Sequence, residues 1–307
     1  MLRTFPPEYP WGDTLPIFQK ADFRICNLES AMSGRGKPWP AKAFHFRTDT
    51  KNIAVLGEAG IDCVSLANNH TLDFGYDALA DTLHTLSAAQ IGHAGAGMNV
   101  GEAFAPALAT VRGLRIAMLS FTDNEPEWEA GEDEPGVAYV PIDFEEDRAT
   151  HLFDAIRAAK CRSDLVIVAA HWGPNWGYKP PPRHVPFAHR MIDLGADIVF
   201  GHSGHVFRGV EIYCGRPILY CTGNFVDDYA VDKEERNDES FIFVVEIREG
   251  RPNLLRLHPT IISDCQAQCA PGERAHNIAT KMKKLCTDMK TYPHERIDGL
   301  EIPIGEA

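Results

Sequence analysis

The sequence SLANNHTLDFG at residues 65–75 places two amides, an imidazole and a carboxylate at the end of an apolar run. Three other polar clusters follow apolar runs in the same way: NLE at 27–29, HWG at 171–173 and GHSGH at 201–205. In open α/β sheets, ligands bind beyond the carboxyl ends of the strands. We therefore expect these four clusters to converge on one site.

Apolar runs of strand length alternate with segments of helical period through the first two thirds of the chain, which is the pattern of an α/β fold. The predicted strands are 23–27, 63–67, 115–122, 165–170, 197–200, 209–213, 217–220, 241–247 and 254–262. The predicted helices are 76–89, 145–160 and 184–194. From residue 209 onward short strands follow one another, which predicts an antiparallel sheet. Two packed sheets with outer helices would fit this order.

The charge balance excludes some classes of partner. With 43 acidic and 30 basic side chains the formal charge is -13, which repels a polyanion unless a local positive patch offsets it. Nucleic acid is therefore not an expected partner. No apolar stretch reaches the roughly 18 residues of a membrane span, and the start MLRTFPP lacks the apolar core of a signal peptide. As written, the chain is expected to be soluble and cytoplasmic.

The eight cysteines do not indicate a disulfide scaffold, because such frameworks belong to short secreted domains. Cys26, Cys63 and Cys221 lie in strand-like runs and are interpreted as small buried hydrophobes. Cys265 and Cys269 share a polar loop, where two unrelated thiols are favoured over a pair or a soft-metal site.

The polar clusters contain the ligand types of a divalent metal centre. Glu29 offers a carboxylate, Asn69 an amide oxygen, and His171, His202 and His205 imidazole nitrogens. This set, without thiolate, suits Mn, Fe or Zn. Each residue also has a structural alternative: Glu29 as a loop carboxylate that caps backbone amides, Asn69 as a turn residue, and His171 as an ordinary buried or surface histidine. The joint occurrence favours the metal.

His70 and Asp73 lie three residues apart in the central motif. Two roles for Asp73 remain open: it caps a helix that begins near Gly75, or it orients His70. Asn68 and Arg208 are candidate contacts to a substrate, although Asn68 also suits a turn and the interpretation of Arg208 as an ordinary surface cation is favoured.

Taken together, these motifs resemble the bacterial CapA family, named for poly-gamma-glutamate capsule synthesis, which is similar to the calcineurin-like metallophosphoesterases. The resemblance runs from about Trp11 to about Ile262 and also includes GVEIY at 209–213 and GNF at 223–225. It implies a four-layer α/β/β/α sandwich of two mixed sheets. The resulting domain hypothesis is a CapA-like domain over 1–264 and a C-terminal helix and tail over 265–307.

The resemblance also implies roles for the site residues. Glu29 would bridge two metal ions, Asn69, His171 and His202 would complete one metal site, and His205 would belong to the other. His70 would contact the substrate phosphoryl group or protonate the leaving oxygen. One or two divalent ions are therefore the expected cofactor.

One motif of the family is missing from its expected place. The family opens with an apolar strand that ends in Gly-Asp, whereas Gly12 and Asp13 follow Pro10 and Trp11. Asp13 is instead expected to cap a short helix over 14–20. A chain truncated at its start, with room for one weakly held metal, is the corresponding expectation.

Three functions fit this sequence. The leading hypothesis is a metal-dependent hydrolase of the phosphoesterase type, linked to capsule or exopolymer biosynthesis. The alternatives are a non-catalytic protein that binds a polymer or partner during capsule assembly, and a metal-dependent hydrolase of a glutamyl polymer. The expected ligand is a small anionic substrate or a polymer like poly-gamma-glutamate, and the sequence leaves the oligomeric state open.

Overall fold

The computed structural model describes residues 5–40 and 42–305, and the chain forms two compact units. The central unit is one continuous segment, Asp22–His171. The terminal unit combines Met1–Ala21 with Trp172–Ala307. Both units contain helices and sheets, which confirms the α/β class. The four-layer arrangement and the domain boundary after residue 264 stay predictions.

Helices and strands alternate along most of the chain. The α-helices are α1 (Leu15–Lys20), α2 (Ile53–Glu58), α3 (Gly75–Ala88), α4 (Val100–Ala103), α5 (Asp147–Arg162), α6 (His184–Asp193) and α7 (Gly272–Asp288). Short 3-10 helices span Tyr9–Thr14, Thr50–Asn52 and Pro126–Trp128. The strands are β1 (Ile25–Asn27), β2 (Ala31–Met32), β3 (Arg47–Thr48), β4 (Cys63–Ser65), β5 (Gly92–Ala94), β6 (Ala96–Gly97), β7 (Ala107–Val111), β8 (Leu114–Thr122), β9 (Gly136–Val137), β10 (Leu165–His171), β11 (Ile198–His202), β12 (Val210–Tyr213), β13 (Arg216–Leu219), β14 (Glu239–Arg248), β15 (Arg251–Ser263), β16 (Gln266–Cys269), β17 (His294–Arg296) and β18 (Gly299–Pro303).

In the central unit, β4 pairs in parallel with β1 and with β5, and β8 pairs in parallel with β10 and antiparallel with β7. All seven residues of β10 are buried, as expected for a continuous apolar run in a parallel sheet. Helix α3 buries Ala78, Leu79, Leu83 and Leu86 along one stripe, the pattern of an amphipathic helix beside a sheet. The polar residues after β1, β4 and β10 are therefore carried by well-packed elements.

In the terminal unit, β13 pairs in parallel with β11 and antiparallel with β12. A second, antiparallel sheet has the order β14-β15-β18-β17, and β16 also pairs with β15. The β14–β15 hairpin turns at Glu249 and Gly250, whose φ angles of 52° and 76° suit the two-residue turn that matches strand twist. This sheet confirms the antiparallel second half predicted from the sequence.

All nine predicted strands and all three predicted helices are present, with ends that differ by up to three residues. The elements that sequence analysis missed are mostly short: β2, β3, β5, β6 and β9 have only two or three residues each. Runs of this length carry no measurable periodicity. Among the described residues, no helix is both long and apolar enough to cross a membrane.

The prediction that Asp13 caps a helix is wrong. Thr14 occupies the N-cap position of α1 without a side-chain cap. The Asp13 carboxylate instead accepts a hydrogen bond of 2.7 Å from the backbone N–H of Cys269. In the same region the Gln266 amide donates to the Tyr9 carbonyl at 2.7 Å. Asp13 thus ties the first residues of the terminal unit to β16.

Gly95 permits a close approach inside the central unit. Its φ is 97°, and an added Cβ would lie 2.6 Å from both Ala67 Cβ and Ser120 Oγ. We expect Gly95→Ala to lower the free energy of unfolding by about 4 kcal/mol, through steric overlap added to backbone strain. Chemical denaturation measures this loss.

Gly113→Ala is the matched control, because Gly113 has φ 84° but no atom within 4 Å of the added Cβ. Backbone strain alone costs roughly 1–2 kcal/mol. Equal losses for the two variants would show that the close approach at Gly95 contributes nothing.

Candidate functional site

The carboxyl ends of β1 and β4 lie side by side, since Asn27 is in register with Ser65 in a parallel pair. The Asn27 amide donates to Glu29 Oε2 at 2.7 Å, so the Glu29 carboxylate is bound to the end of its own strand.

Asn68 joins the two strand ends. Its amide nitrogen donates to Asn27 Oδ1 and to the Leu28 carbonyl, each at 3.0 Å. Its oxygen accepts from the His70 N–H and from Thr71 Oγ1, also at 3.0 Å. These bonds satisfy a fully buried amide within the protein. Asn68 therefore has a structural role, and its predicted contact to a substrate stays a prediction.

Asp73 is fully buried and orients His70. Its Oδ2 lies 2.6 Å from His70 Nδ1 and accepts a 2.6 Å hydrogen bond from the Phe46 N–H. Helix α3 has Phe74 as its N-cap and no side-chain cap. Of the two roles left open for Asp73, the structure supports the orientation of the imidazole and rules out the helix cap. The Phe46 ring packs on the imidazole at 4.0 Å between centroids.

Lys42 supplies the cation for this buried carboxylate. Its Nζ lies 2.5 Å from Asp73 Oδ1 and also donates to the Asn69 carbonyl. Glu125 Oε1 lies 3.8 Å from Lys42 Nζ. Burial raises the pKa of Glu125, whereas the charge of Lys42 opposes that shift. Sequence analysis missed Lys42, because a lysine in an irregular segment 31 residues before Asp73 gives no signal of its partner.

Asn69 presents an unusual atom. Its side-chain oxygen is buried and has no hydrogen-bond partner among residues 5–40 and 42–305. Buried polar atoms are nearly always paired, and one that is not calls for an explanation such as an ion. Asn69 Oδ1, which belongs to the central unit, thus fits the predicted role of a metal ligand.

His171 ends β10, in register with Thr122 of β8, and is buried. Its carbonyl accepts from the Asp123 N–H at 3.2 Å. The strand end is thereby fixed to the loop that follows β8.

The other two histidines predicted as metal ligands, His202 and His205, belong to the terminal unit. Burial lowers the pKa of His202 to about 3, so its imidazole is neutral at pH 7, the state that binds metal ions. His205 Nδ1 lies 3.0 Å from Asn224 Oδ1. Because an amide oxygen only accepts, Nδ1 carries a proton in this contact, and Nε2 is the ring nitrogen left for a ligand. Such an arrangement is typical of metal-binding histidines.

Arg208 is buried rather than a surface cation, so that interpretation is wrong. Its guanidinium donates to the carbonyls of Pro174 and Gly177 at 2.7 and 3.1 Å. It therefore fixes the loop after Trp172. Burial, and to a lesser extent the positive charge of Arg208, lowers the pKa of His184 to about 4. Its contact to a substrate stays a prediction.

The predicted metal ligands are divided between the units. Glu29, Asn69 and His171 belong to the central unit, and His202 and His205 to the terminal unit. Within residues 5–40 and 42–305, no group of three or more His, Cys, Asp or Glu side chains is arranged to hold an ion. A cation shared by Glu29, Asn69, His171 and His202 stays a prediction.

Comparison with known proteins gives a family match over residues 2–229, to the model described as bacterial capsule synthesis protein PGA_cap. The chain is 40% identical over 229 residues to a probable polyglutamine synthesis accessory protein of Mycobacterium tuberculosis, covering 72% of this chain and 60% of that protein. It is 33% identical over 216 residues to the PGA biosynthesis protein CapA of Bacillus subtilis, covering 69% and 55%.

A third relative is the capsule biosynthesis protein CapA of Bacillus anthracis, 28% identical over 271 residues and covering 86% of this chain and 64% of that protein. The chain therefore spans less than two thirds of the length of these relatives. A solved structure, a hypothetical protein from Thermus thermophilus, aligns with TM-score 0.43 and 17% identity over 83% of this chain and 88% of that one. That similarity is too low to indicate a shared fold or function.

The Lys42–Asp73 pair leads to a stability prediction. The Lys42 and Asp73 side chains are 13% and 0% exposed. We expect Lys42→Met to lower the free energy of unfolding by about 3 kcal/mol, because it leaves a buried carboxylate without its cation. Adding Asp73→Asn should cost less than the sum of the two single changes. Denaturation of the four chains measures this coupling.

Lys283→Met is the control for the same chemical change at an exposed ion pair, where Lys283 and Glu295 are 38% and 54% exposed. Lys283→Met should lower the free energy of unfolding by less than about 1 kcal/mol. Additive effects of Lys42→Met and Asp73→Asn would contradict the interaction.

Proposed function

The chain belongs to the bacterial capsule synthesis protein family PGA_cap, and on this premise we propose that it is a metal-dependent hydrolase of the phosphoesterase type in poly-gamma-glutamate capsule or exopolymer biosynthesis. The observation that carries the proposal is the buried pair in which the Asp73 carboxylate lies 2.6 Å from His70 Nδ1. Asn69, which precedes His70 in the sequence, supplies a buried side-chain oxygen without a partner among the described residues. A carboxylate that orients an imidazole is an arrangement suited to hydrolysis.

The predicted ligands fit a divalent ion in their chemistry. Asn69 Oδ1 has no partner in the described part of the chain, burial lowers the pKa of His202, and Asn224 Oδ1 lies 3.0 Å from His205 Nδ1, which leaves Nε2 of His205 to face a ligand. Glu29 would add the charged ligand, and His171 would add a further nitrogen. Mn, Fe or Zn, one or two ions, would supply positive charge that polarises the bond to be broken.

The protein's own groups then handle the proton. With Nδ1 held by Asp73, the nitrogen of His70 that exchanges a proton is Nε2. Lys42 stabilises the ionised form of the Asp73 carboxylate. The ionised carboxylate can only accept a hydrogen bond, so it favours the form of His70 that carries a proton on Nδ1. A protonated His70 would donate from Nε2 to the leaving oxygen, and the backbone N–H of Phe46 would keep the carboxylate from rotating.

A non-catalytic role in polymer assembly is the second candidate, because the mycobacterial relative carries the word accessory in its name. In that case the His70–Asp73 pair would serve binding rather than turnover. Hydrolysis of a glutamyl polymer differs from the main proposal only in the bond attacked, and release of glutamate would identify it.

The hydrolase proposal predicts loss of activity in His70→Gln. With added Mn, turnover of a panel of phosphomonoesters and phosphodiesters should fall by at least about 100-fold, since general acid catalysis contributes that much. His84→Gln is the control, because His84 is exposed on α3. Equal turnover in wild type and His70→Gln would contradict the role of His70, and binding of polymer with no turnover by the wild type would favour the second candidate.

The proposed ligand role of Asn69 predicts a contrast between neighbouring amides. Asn69→Ala should change the free energy of unfolding by less than about 1 kcal/mol, because the lost oxygen has no partner, whereas Asn68→Ala should cost about 3 kcal/mol through its four hydrogen bonds. Calorimetric titration with Mn should show an affinity at least about tenfold weaker in Asn69→Ala. Unchanged Mn affinity would remove Asn69 from the ligand set.

A further inference from the structure

Residues 33–48 form a basic segment in an acidic chain. The segment contains Arg35, Lys37, Lys42 and Arg47 and no Asp or Glu, whereas the whole chain has a formal charge of -13. A protein of this charge repels a polyanion everywhere except at a local positive patch. The basic segment is therefore one part of the sequence on which an anionic polymer would gain attraction.

The basic segment is built onto the turn that carries His70 and Asp73. The Trp39 N–H donates to the Asp73 carbonyl at 2.8 Å, and the Phe46 N–H donates to the Asp73 carboxylate. Gly36 has φ 83°, and an added Cβ would overlap the Phe74 carbonyl oxygen at 1.9 Å. Two hydrogen bonds thus hold the backbone and a third position approaches the turn closely, so a ligand on this surface would find its contacts already ordered.

The cations of the segment fall into two groups. Lys42 is engaged with Asp73, and Arg35 forms ion pairs with Asp81 at 3.1 Å and Asp77 at 3.5 Å. Lys37 and Arg47 are exposed, and no carboxylate in the described part of the chain forms an ion pair with either. A carboxylate of a ligand could therefore pair with Lys37 or Arg47 without displacing a carboxylate of the described chain.

Arg47 is also positioned. It lies in β3, which pairs with β2, and its guanidinium carbon is 4.4 Å from the centroid of the Phe74 ring. A cation over a ring face keeps its charge while its motion is restricted. Phe44 and Tyr76 expose 70% and 45% of their surface, and they offer apolar contacts for the methylene groups of a polymer.

We propose that the basic segment binds a polymer with regularly spaced carboxylates, of the poly-gamma-glutamate type, through Lys37 and Arg47 and leads it toward His70. The assignment of His70 rests on the proposed function, whereas the binding surface does not need turnover. Carboxylates separated by methylenes match a surface that combines unpaired cations with exposed aromatic rings.

The experiment measures binding of fluorescent poly-gamma-glutamate to the full chain by anisotropy at low and physiological salt. We expect Lys37→Glu/Arg47→Glu to weaken binding at least about tenfold at low salt and to flatten the salt dependence, since two charge contacts are lost. Lys37→Gln/Arg47→Gln should weaken binding in the same direction but less.

Lys233→Glu/Arg251→Glu is the matched control, because both side chains are exposed elsewhere and the change in net charge is identical. The control should bind within about twofold of wild type. An equal loss in the control, unchanged binding in Lys37→Glu/Arg47→Glu, or no binding by wild type would each overturn the proposal.

The outcome is separable from the hydrolase proposal. Polymer binding is measured without added metal, so that it does not depend on turnover. Loss of binding in the Lys37 and Arg47 variants with no hydrolysis by any chain would reject the hydrolase alone. If hydrolysis depends on His70 but polymer binding is unchanged in the Lys37 and Arg47 variants, only the proposal for the basic segment is rejected.

Discussion

The arrangement of the candidate site depends on one buried charge, the carboxylate of Asp73. A carboxylate at 0% exposure is stable only when its charge and lone pairs are satisfied. Lys42 supplies the charge, and His70 and the Phe46 N–H supply hydrogen bonds. Because Lys42 and Phe46 come from the basic segment, this single carboxylate fixes both the imidazole and the segment that passes over it.

The sequence predicted the framework of the site well, because the framework follows from short-range patterns. The apolar run 165–170 within β10 has the length of a strand, and the stripe of Leu79, Leu83 and Leu86 on α3 has the helical period. Polar residues directly after such runs lie at strand ends for the same reason, which is why Glu29, Asn68 and His171 were identified. The family resemblance is confirmed by the match over residues 2–229.

What the sequence did not predict are the partners of these side chains. The choice between two roles for Asp73 required the position of His70 Nδ1, and the involvement of Lys42 required a contact across 31 residues of irregular chain. Arg208 was interpreted as a surface cation because most arginines are, but its guanidinium is buried against backbone carbonyls. Contacts between side chains that are distant in the sequence depend on how the chain packs, and the periodicity of the sequence does not indicate them.

The hydrogen bond between Asp13 and Cys269 has a consequence for biosynthesis. It joins residues 256 positions apart, so the ribosome must synthesise the chain from Asp13 through Cys269 before this contact of the terminal unit can form. The central unit is one uninterrupted stretch and can gather its contacts while translation continues. During that interval the first strands and helices of the terminal unit lack their later neighbours, and this waiting period is the stage at which the nascent protein is most exposed to aggregation.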